Sequence, residues 1–237
     1  MKRKISIGLL LIIFIIVLSF YTFKYLSNTN NPNLLSNLEG TIYFIERIDG
    51  TLTLFKSDAA LKNKTLLYSH KGKGKDSLGG YNDNIWGFHY DQTNKTISFI
   101  AMDNGSWSLF SLKEGEEKPT LLQKDVMEIS TDYIQDQSEN VSVISRKGSL
   151  YLLEDGKEKT IKKFYGIYDS KFTGYRPIGL SPDGKYLIYF SMEHATPIGA
   201  IFEGLVKDSV GNMYIMDLST LESTKYVNAY QIQWIMD

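Results

Sequence analysis

"YDQTNKTISFIAMDNGSWSLFSL", Tyr90 to Leu112, holds a turn, a strand, a two-residue hairpin and a second strand in one short stretch. Thr96 to Met102 and Trp107 to Leu112 are short runs rich in apolar and aromatic residues, bounded by turn formers, which read as strands. Asn104-Gly105 between them is a strong hairpin signal, because a tight hairpin turn needs positive φ at its central residues. Ile85 to Tyr90 before the stretch and Thr120 to Gln123 after it complete a unit of four strands, a to d.

The unit recurs. "LEGTIYFIERIDGTLTLFKS" from Leu38, "IQDQSENVSVISRKGSLYLLE" from Ile134 and "LSPDGKYLIYFSM" from Leu180 can each be laid over it, the mark of a repeat architecture. Asp49-Gly50 and Lys147-Gly148 stand where Asn104-Gly105 does, so the same hairpin joins b to c. At Ser181 the a-to-b turn is spelled "SPDGK", with proline at its second position and Gly184 at its fourth. That turn and the strand "KYLIYFS" behind it resemble the S-P-D-G-K repeat of TolB-like and WD40-related β-propellers. Other copies depart from the pattern, with Gln92 or Gln137 for proline and Asn94 or Glu139 for glycine. The resemblance covers most of the chain beyond residue 38 and implies an all-β propeller architecture.

The first copy opens at Glu39-Gly40, inside its a-to-b turn, and lacks strand a. The last residues, "AYQIQWIMD", alternate apolar and polar around Trp234 and supply it: Ile232 to Met236 match strand a, with Asp237 in the place of Asp91. The expected fold is a small β-propeller of four blades closed by the C-terminal strand, which removes two open sheet edges. A split blade, or a larger ring made by dimerisation, is the alternative.

Ile5 to Phe23 form an uncharged run of about 19 residues, long enough for a helix to cross a hydrocarbon layer. Lys2, Arg3 and Lys4 precede it and only Lys24 follows closely, a bias that keeps the N-terminus in the cytoplasm and sends the remainder outside. A cleaved signal peptide is the competing reading, but Phe20, Tyr21, Phe23, Tyr25 and Leu26 stand where small residues belong. The expected organisation is a cytoplasmic tip and signal anchor over 1–26, a polar stalk over 27–38 and the propeller over 39–237, a single-pass membrane protein with an extracytoplasmic domain.

The chain has no cysteine, which removes disulfides, thiolate metal sites and lipid attachment through cysteine. Beyond Leu26, 22 basic residues face 27 acidic ones, so the overall balance favours neither a polyanion-binding face nor a nucleic-acid partner. His70, His89 and His194 are scattered without metal-ligand spacing, there is no G-x-S-x-G elbow, and the innermost strands offer only Glu128, with Asp83 just before one of them. No catalytic residue, metal or cofactor is expected.

Three long connections, Lys71 to Asn84, Phe164 to Gly174 and Glu193 to Val210, are expected on one face, where binding by propellers and other rigid scaffolds concentrates. They and their borders supply the candidate ligand- or partner-binding residues Tyr81, Tyr165, Tyr168, Phe172, Tyr175, His194 and Phe202. The competing reading is that the aromatics cover the open end of a small ring. Ile198, Ile201, Phe202 and Leu205 are spaced for a short amphipathic helix, either a lid or a stripe packed onto the ring. The expected function is non-catalytic binding of a protein, peptide or envelope glycan; the alternatives are an enzyme acting on envelope carbohydrate and a ligand-free scaffold subunit.

Overall fold

The computed structural model describes residues 14–15, 31, 33–72, 82–126, 141–165, 168, 174–192 and 212–236. Their strands form four antiparallel sheets. The first holds β1 (Thr41–Ile48), β2 (Thr51–Asp58) and β3 (Thr65–Tyr68), joined by β15 (Ala229–Ile235); the second holds β4 (Ile85–Asp91), β5 (Thr96–Asp103), β6 (Ser106–Lys113) and β7 (Thr120–Gln123). The third holds β8 (Val141–Arg146), β9 (Ser149–Glu154) and β10 (Lys157–Lys162), and the fourth β11 (Tyr175–Leu180), β12 (Tyr186–Ser191), β13 (Asn212–Asp217) and β14 (Ser223–Lys225). The segment expected to give the third sheet its strand a, with Glu128, lies outside the described residues.

The hairpins form as their residues require. Asp49 and Gly50, Asn104 and Gly105, and Lys147 and Gly148 all take positive φ, the conformation of the two-residue turn whose twist matches its strands. Asp155-Gly156 makes a fourth such turn between β9 and β10. In the "SPDGK" turn the Gly184 N–H donates to Ser181 O at 2.8 Å. Burial pushes the Asp183 carboxyl up, but hydrogen bonds from the Ser181 hydroxyl and from Lys185 outweigh it and hold the group below its ordinary 3.8. Asp91 and Asp217, which open turns at the same end of their sheets, are likewise held low. Carboxylates favoured by the fold stabilise it above their ordinary pKa and lose that contribution as pH falls through the lowered one. Melting temperature should therefore stay level from neutrality down to about pH 5 and fall below about pH 4, with a shallower fall in Asp183→Asn.

Alternation along a strand sends successive side chains to opposite faces, and in the first and fourth sheets both faces are covered. Ile42 and Phe44 of β1 pack against Ile188, Met213 and Ile215 of the fourth sheet, while Tyr43 and Ile45 pack against Ile85, Phe88 and Phe99 of the second. In β12, Ile188 faces the first sheet, and Leu187 and Tyr189 face Val143, Leu150 and Leu152 of the third. The first and fourth sheets are thus layers between neighbours, with the second packed on the first and the third on the fourth, a stacking consistent with a β-propeller-like fold.

β15 pairs antiparallel with β1, with Trp234 opposite Ile42 and Ile232 opposite Phe44. In the second sheet Tyr90 lies opposite Ile97 and Phe88 opposite Phe99. Ile235, not Asp237, therefore occupies the place of Asp91, two residues earlier than the repeat alignment implies; the strand's own hydrogen bonding sets this register. Trp234 is 2 % exposed, stacks on Tyr186 and donates its indole N–H to Glu39 O at 2.9 Å. A Cβ on Gly40, at φ +90°, would overlap the Ile235 carbonyl oxygen, which is why glycine stands there.

The two glutamines of β15 explain its polar positions. Gln231 Oε1 accepts from Phe88 N–H at 2.9 Å and its Nε2 donates to Phe88 O at 2.8 Å. Gln233 repeats the pattern on Tyr90, at 2.8 and 2.9 Å. β4 has β5 on one edge; the glutamines hydrogen-bond to its other edge and so tie the first and second sheets at their inner strands.

Part of the expected stalk is not free chain. Asn33–Ser36 form a single helical turn, α1, and Leu34 and Leu38 are buried with Trp234 and Val227. Their side chains find an apolar seam between the first and fourth sheets, and Asn31 Nδ2 donates to Glu222 Oε2 at 2.7 Å. Of the expected anchor only Phe14 and Ile15 are described; both are helical and exposed.

Candidate functional site

Within each sheet strands a and c run one way and b and d the other, so the b-to-c hairpins and the connections between sheets emerge on one face, here the upper. The a-to-b and c-to-d turns form the lower face. Three contacts fit this assignment. β15 and β4 run side by side through the glutamine bonds; Leu52 N–H, beside the first hairpin, donates to Asn84 Oδ1 at 2.8 Å; and Tyr175 N–H, at the start of β11, donates to Gly148 O in the third hairpin at 2.9 Å. The described ends of the three long connections lie at this face.

Among the expected site residues, Tyr165 is 80 % exposed and Tyr168 is 46 % exposed. Lys163 Nζ lies 5.3 Å from the Tyr165 ring centre. Replacing both tyrosines by alanine should move the melting temperature by only a degree or two, because surface changes stay within about 0.5 kcal/mol; a large drop would make them core. Tyr175 is a correction: it is 3 % exposed, edge-on to Phe164 and Tyr189, because the first position of β11 points into the seam between the third and fourth sheets. It supports the face from beneath. Tyr81, Phe172, His194, Phe202 and the Ile198–Leu205 stripe lie outside the described residues.

Sequence reasoning missed a second aromatic group. Trp86 is bulged out of β4 between Ile85 and Gly87, and Tyr230 is bulged out of β15 between Ala229 and Gln231. The two bulges occupy the same position of the repeat. An extra residue there re-aims the side chain out of the alternation, leaving Trp86 52 % and Tyr230 58 % exposed. Trp107 stands edge-on to Trp86, with ring centres 6.1 Å apart. Arg47 Nε donates to Tyr230 Oη at 2.9 Å, its guanidinium carbon lies 5.0 Å from the ring centre, and Nη1 donates to Gly50 O at 2.7 Å. The Trp86–Trp107 pair and the Tyr230–Arg47 pair are thus two separate aromatic groups at equivalent places of the second and first sheets, the second group tied to a hairpin through Gly50 O. The readable signal was a large aromatic next to the start of an inner strand in two copies; the bulge itself depends on pairing.

Among the described residues, the candidate acid and base groups hold the fold together. Asp83 Oδ1 accepts from Gly72 N–H at 2.7 Å and closes the neck of the Lys71–Asn84 connection. The buried His70 ring bonds through Nε2 to Met102 O at 2.6 Å and packs on Phe110, a structural placement. Among the described residues no three His, Asp or Glu side chains gather as metal ligands.

No family profile and no curated protein matches the sequence. Solved structures similar to it include TolB from Acinetobacter baumannii, at 12 % identity over 78 % of this chain and TM-score 0.28. A protein assigned as TolB from Agrobacterium tumefaciens matches at 12 % over 84 %, TM-score 0.24, and a prolyl endopeptidase at 12 % over 84 %, TM-score 0.22. The chain spans 41 %, 72 % and 26 % of their lengths. At such TM-scores these superpositions carry no argument; the fold rests on the strand pairing above.

Proposed function

We propose that this chain is a non-catalytic binding module: a four-bladed propeller closed by its last strand, held at the cell membrane by its N-terminal helix, which engages an extracytoplasmic protein, peptide or envelope glycan through its upper face. The observation that carries the reading is the pair of exposed bulge aromatics, Trp86 beside Trp107 and Tyr230 beside Arg47. These are the residue types that dominate binding energies at interfaces, and Trp86, Tyr230 and Arg47 stand exposed on strands while Trp107 is half-buried. The anchor is supported by the charge bias around residues 5–23; among the described residues no helix is long and apolar enough to cross a membrane. Protease added to intact cells should remove the domain and leave residues 1–26 with the membrane.

The binding reading is tested by placing a photo-crosslinking amino acid at Trp86 on the upper face or at Asn94 on the lower, in living cells. Discrete adducts from position 86 and none from 94 are expected. Equal patterns from both faces would remove the assignment of the upper face.

A further inference from the structure

The chain joins the propeller at one fixed place. Asn31 Nδ2 donates to Glu222 Oε2 at 2.7 Å, and Glu222 lies in the turn between β13 and β14 on the lower face. Leu34 N–H donates to Asn31 O at 3.1 Å and Leu38 N–H to Leu35 O at 3.3 Å, which gathers the run from Asn31 to Leu38 close to the fold. Its leucines sit in the seam of the first and fourth sheets, Leu34 at 5 % and Leu38 at 7 % exposure. From the same seam Trp234 donates to Glu39 O. Residues 31–39 are therefore a strap fastened at the lower face.

That strap decides how far the body can stand from a membrane. Between the apolar run that ends at Phe23 and Asn31 lie only residues 24–30. Whatever their conformation, they reach at most about 28 Å, and an unstructured chain of that length typically spans about 15 Å. Thr41–Ile48 alone carries β1 about 27 Å from the lower face to the upper. Bringing the upper face to the bilayer would hold the tether at or beyond full stretch. Were 24–38 all free, about twice that reach would let the body turn over.

We infer that residues 31–39 fix the orientation of the propeller on a lipid surface, with the lower-face turn Leu218–Glu222 nearest the bilayer and the upper face, with Trp86 and Tyr230, away from it. The inference rests on the membrane-anchor reading above and adds which face meets the lipid. Proximity comes from the tether and not from affinity, because the Asp217 and Glu222 carboxylates of that turn give it no pull on an anionic headgroup.

The chain has no cysteine, so a fluorophore can be placed singly, at Thr220→Cys on the lower face or at Ile48→Cys beside the first hairpin, both exposed positions. The full chain is reconstituted in nanodiscs of zwitterionic lipid carrying a nitroxide quencher on its headgroups. The label at 220 should lose most of its fluorescence and the label at 48 little of it. A Gly/Ser insert of about twenty residues between Asn30 and Asn31 adds a reach of about 25 Å and leaves the strap docked; it should abolish the difference at unchanged melting temperature. Leu34→Ser with Leu38→Ser releases the strap and should narrow the difference in a chain whose circular dichroism stays that of the parent. Equal quenching of the two labels in the parent chain, or a difference that survives the insert, would overturn the inference, the latter by showing that lipid affinity sets the orientation. Equal quenching within the discs sinks the orientation alone and leaves the anchor standing, whereas a chain that stays out of the discs overturns the anchor reading and the orientation with it.

Discussion

A chain lacking Gln231 to Asp237 should be unfolded or aggregated at room temperature. The deletion removes most of β15, so β1 loses its partner along an edge it holds from Thr41 to Glu46. It also removes Trp234, whose ring fills the seam between the first and fourth sheets with Phe44, Ile215 and Leu38. A domain of this size is stable by about 5 to 15 kcal/mol, and truncating a buried tryptophan to alanine alone costs about 3 to 5 kcal/mol. The exposed edge adds a route to aggregation. Trp234→Ala is the graded form of the experiment and should lower the denaturant midpoint without changing the slope by much. A truncated chain that expresses normally and melts within a few degrees of the parent would show that the strand pairing contributes little.

The double variant Gln231→Leu, Gln233→Leu should be nearly as damaging, although it removes no apolar surface. Four backbone groups of β4, the N–H and C=O of Phe88 and of Tyr90, lose their side-chain partners. Each polar group left unpaired away from water costs about 1 to 3 kcal/mol, and the sites are half-buried, so a total near 4 kcal/mol is expected from chemical denaturation. The same pair changed to asparagine keeps the amide but shortens its reach, and should fall between parent and leucine variant. If the leucine variant matches the parent, water reaches the β4 edge and the glutamines are not what joins the two sheets. Circular dichroism on both variants would separate local loosening from loss of the whole fold.

The strands, their hairpins and the incomplete first unit were legible in the sequence because each depends on neighbours in the chain. Asn104-Gly105 makes its turn whatever surrounds it, and "SPDGK" closes around Gly184 by its own bonds. The missing strand a of the first copy could be counted, and the alternation around Trp234 pointed to its replacement at the other end of the chain. The register of that strand could not be read, since sliding Ile232–Met236 by two residues keeps every side chain on the same face. Only the fit of Trp234 to Glu39 and of the glutamines to β4 distinguishes the two.

The candidate site divides in the same way. Composition picked out Tyr165 and Tyr168 as loop aromatics, but it ranked Tyr175 with them, one strand boundary too far, where the seam between sheets turns the ring inward. Trp86 and Tyr230 sit within strands by sequence and reach solvent only because each is the extra residue of a bulge, which exists only opposite a partner strand. Local chemistry determined which segments turn and which extend; exposure of Trp86 and Tyr230 was decided by pairing between strands, for Tyr230 between residues far apart in the chain.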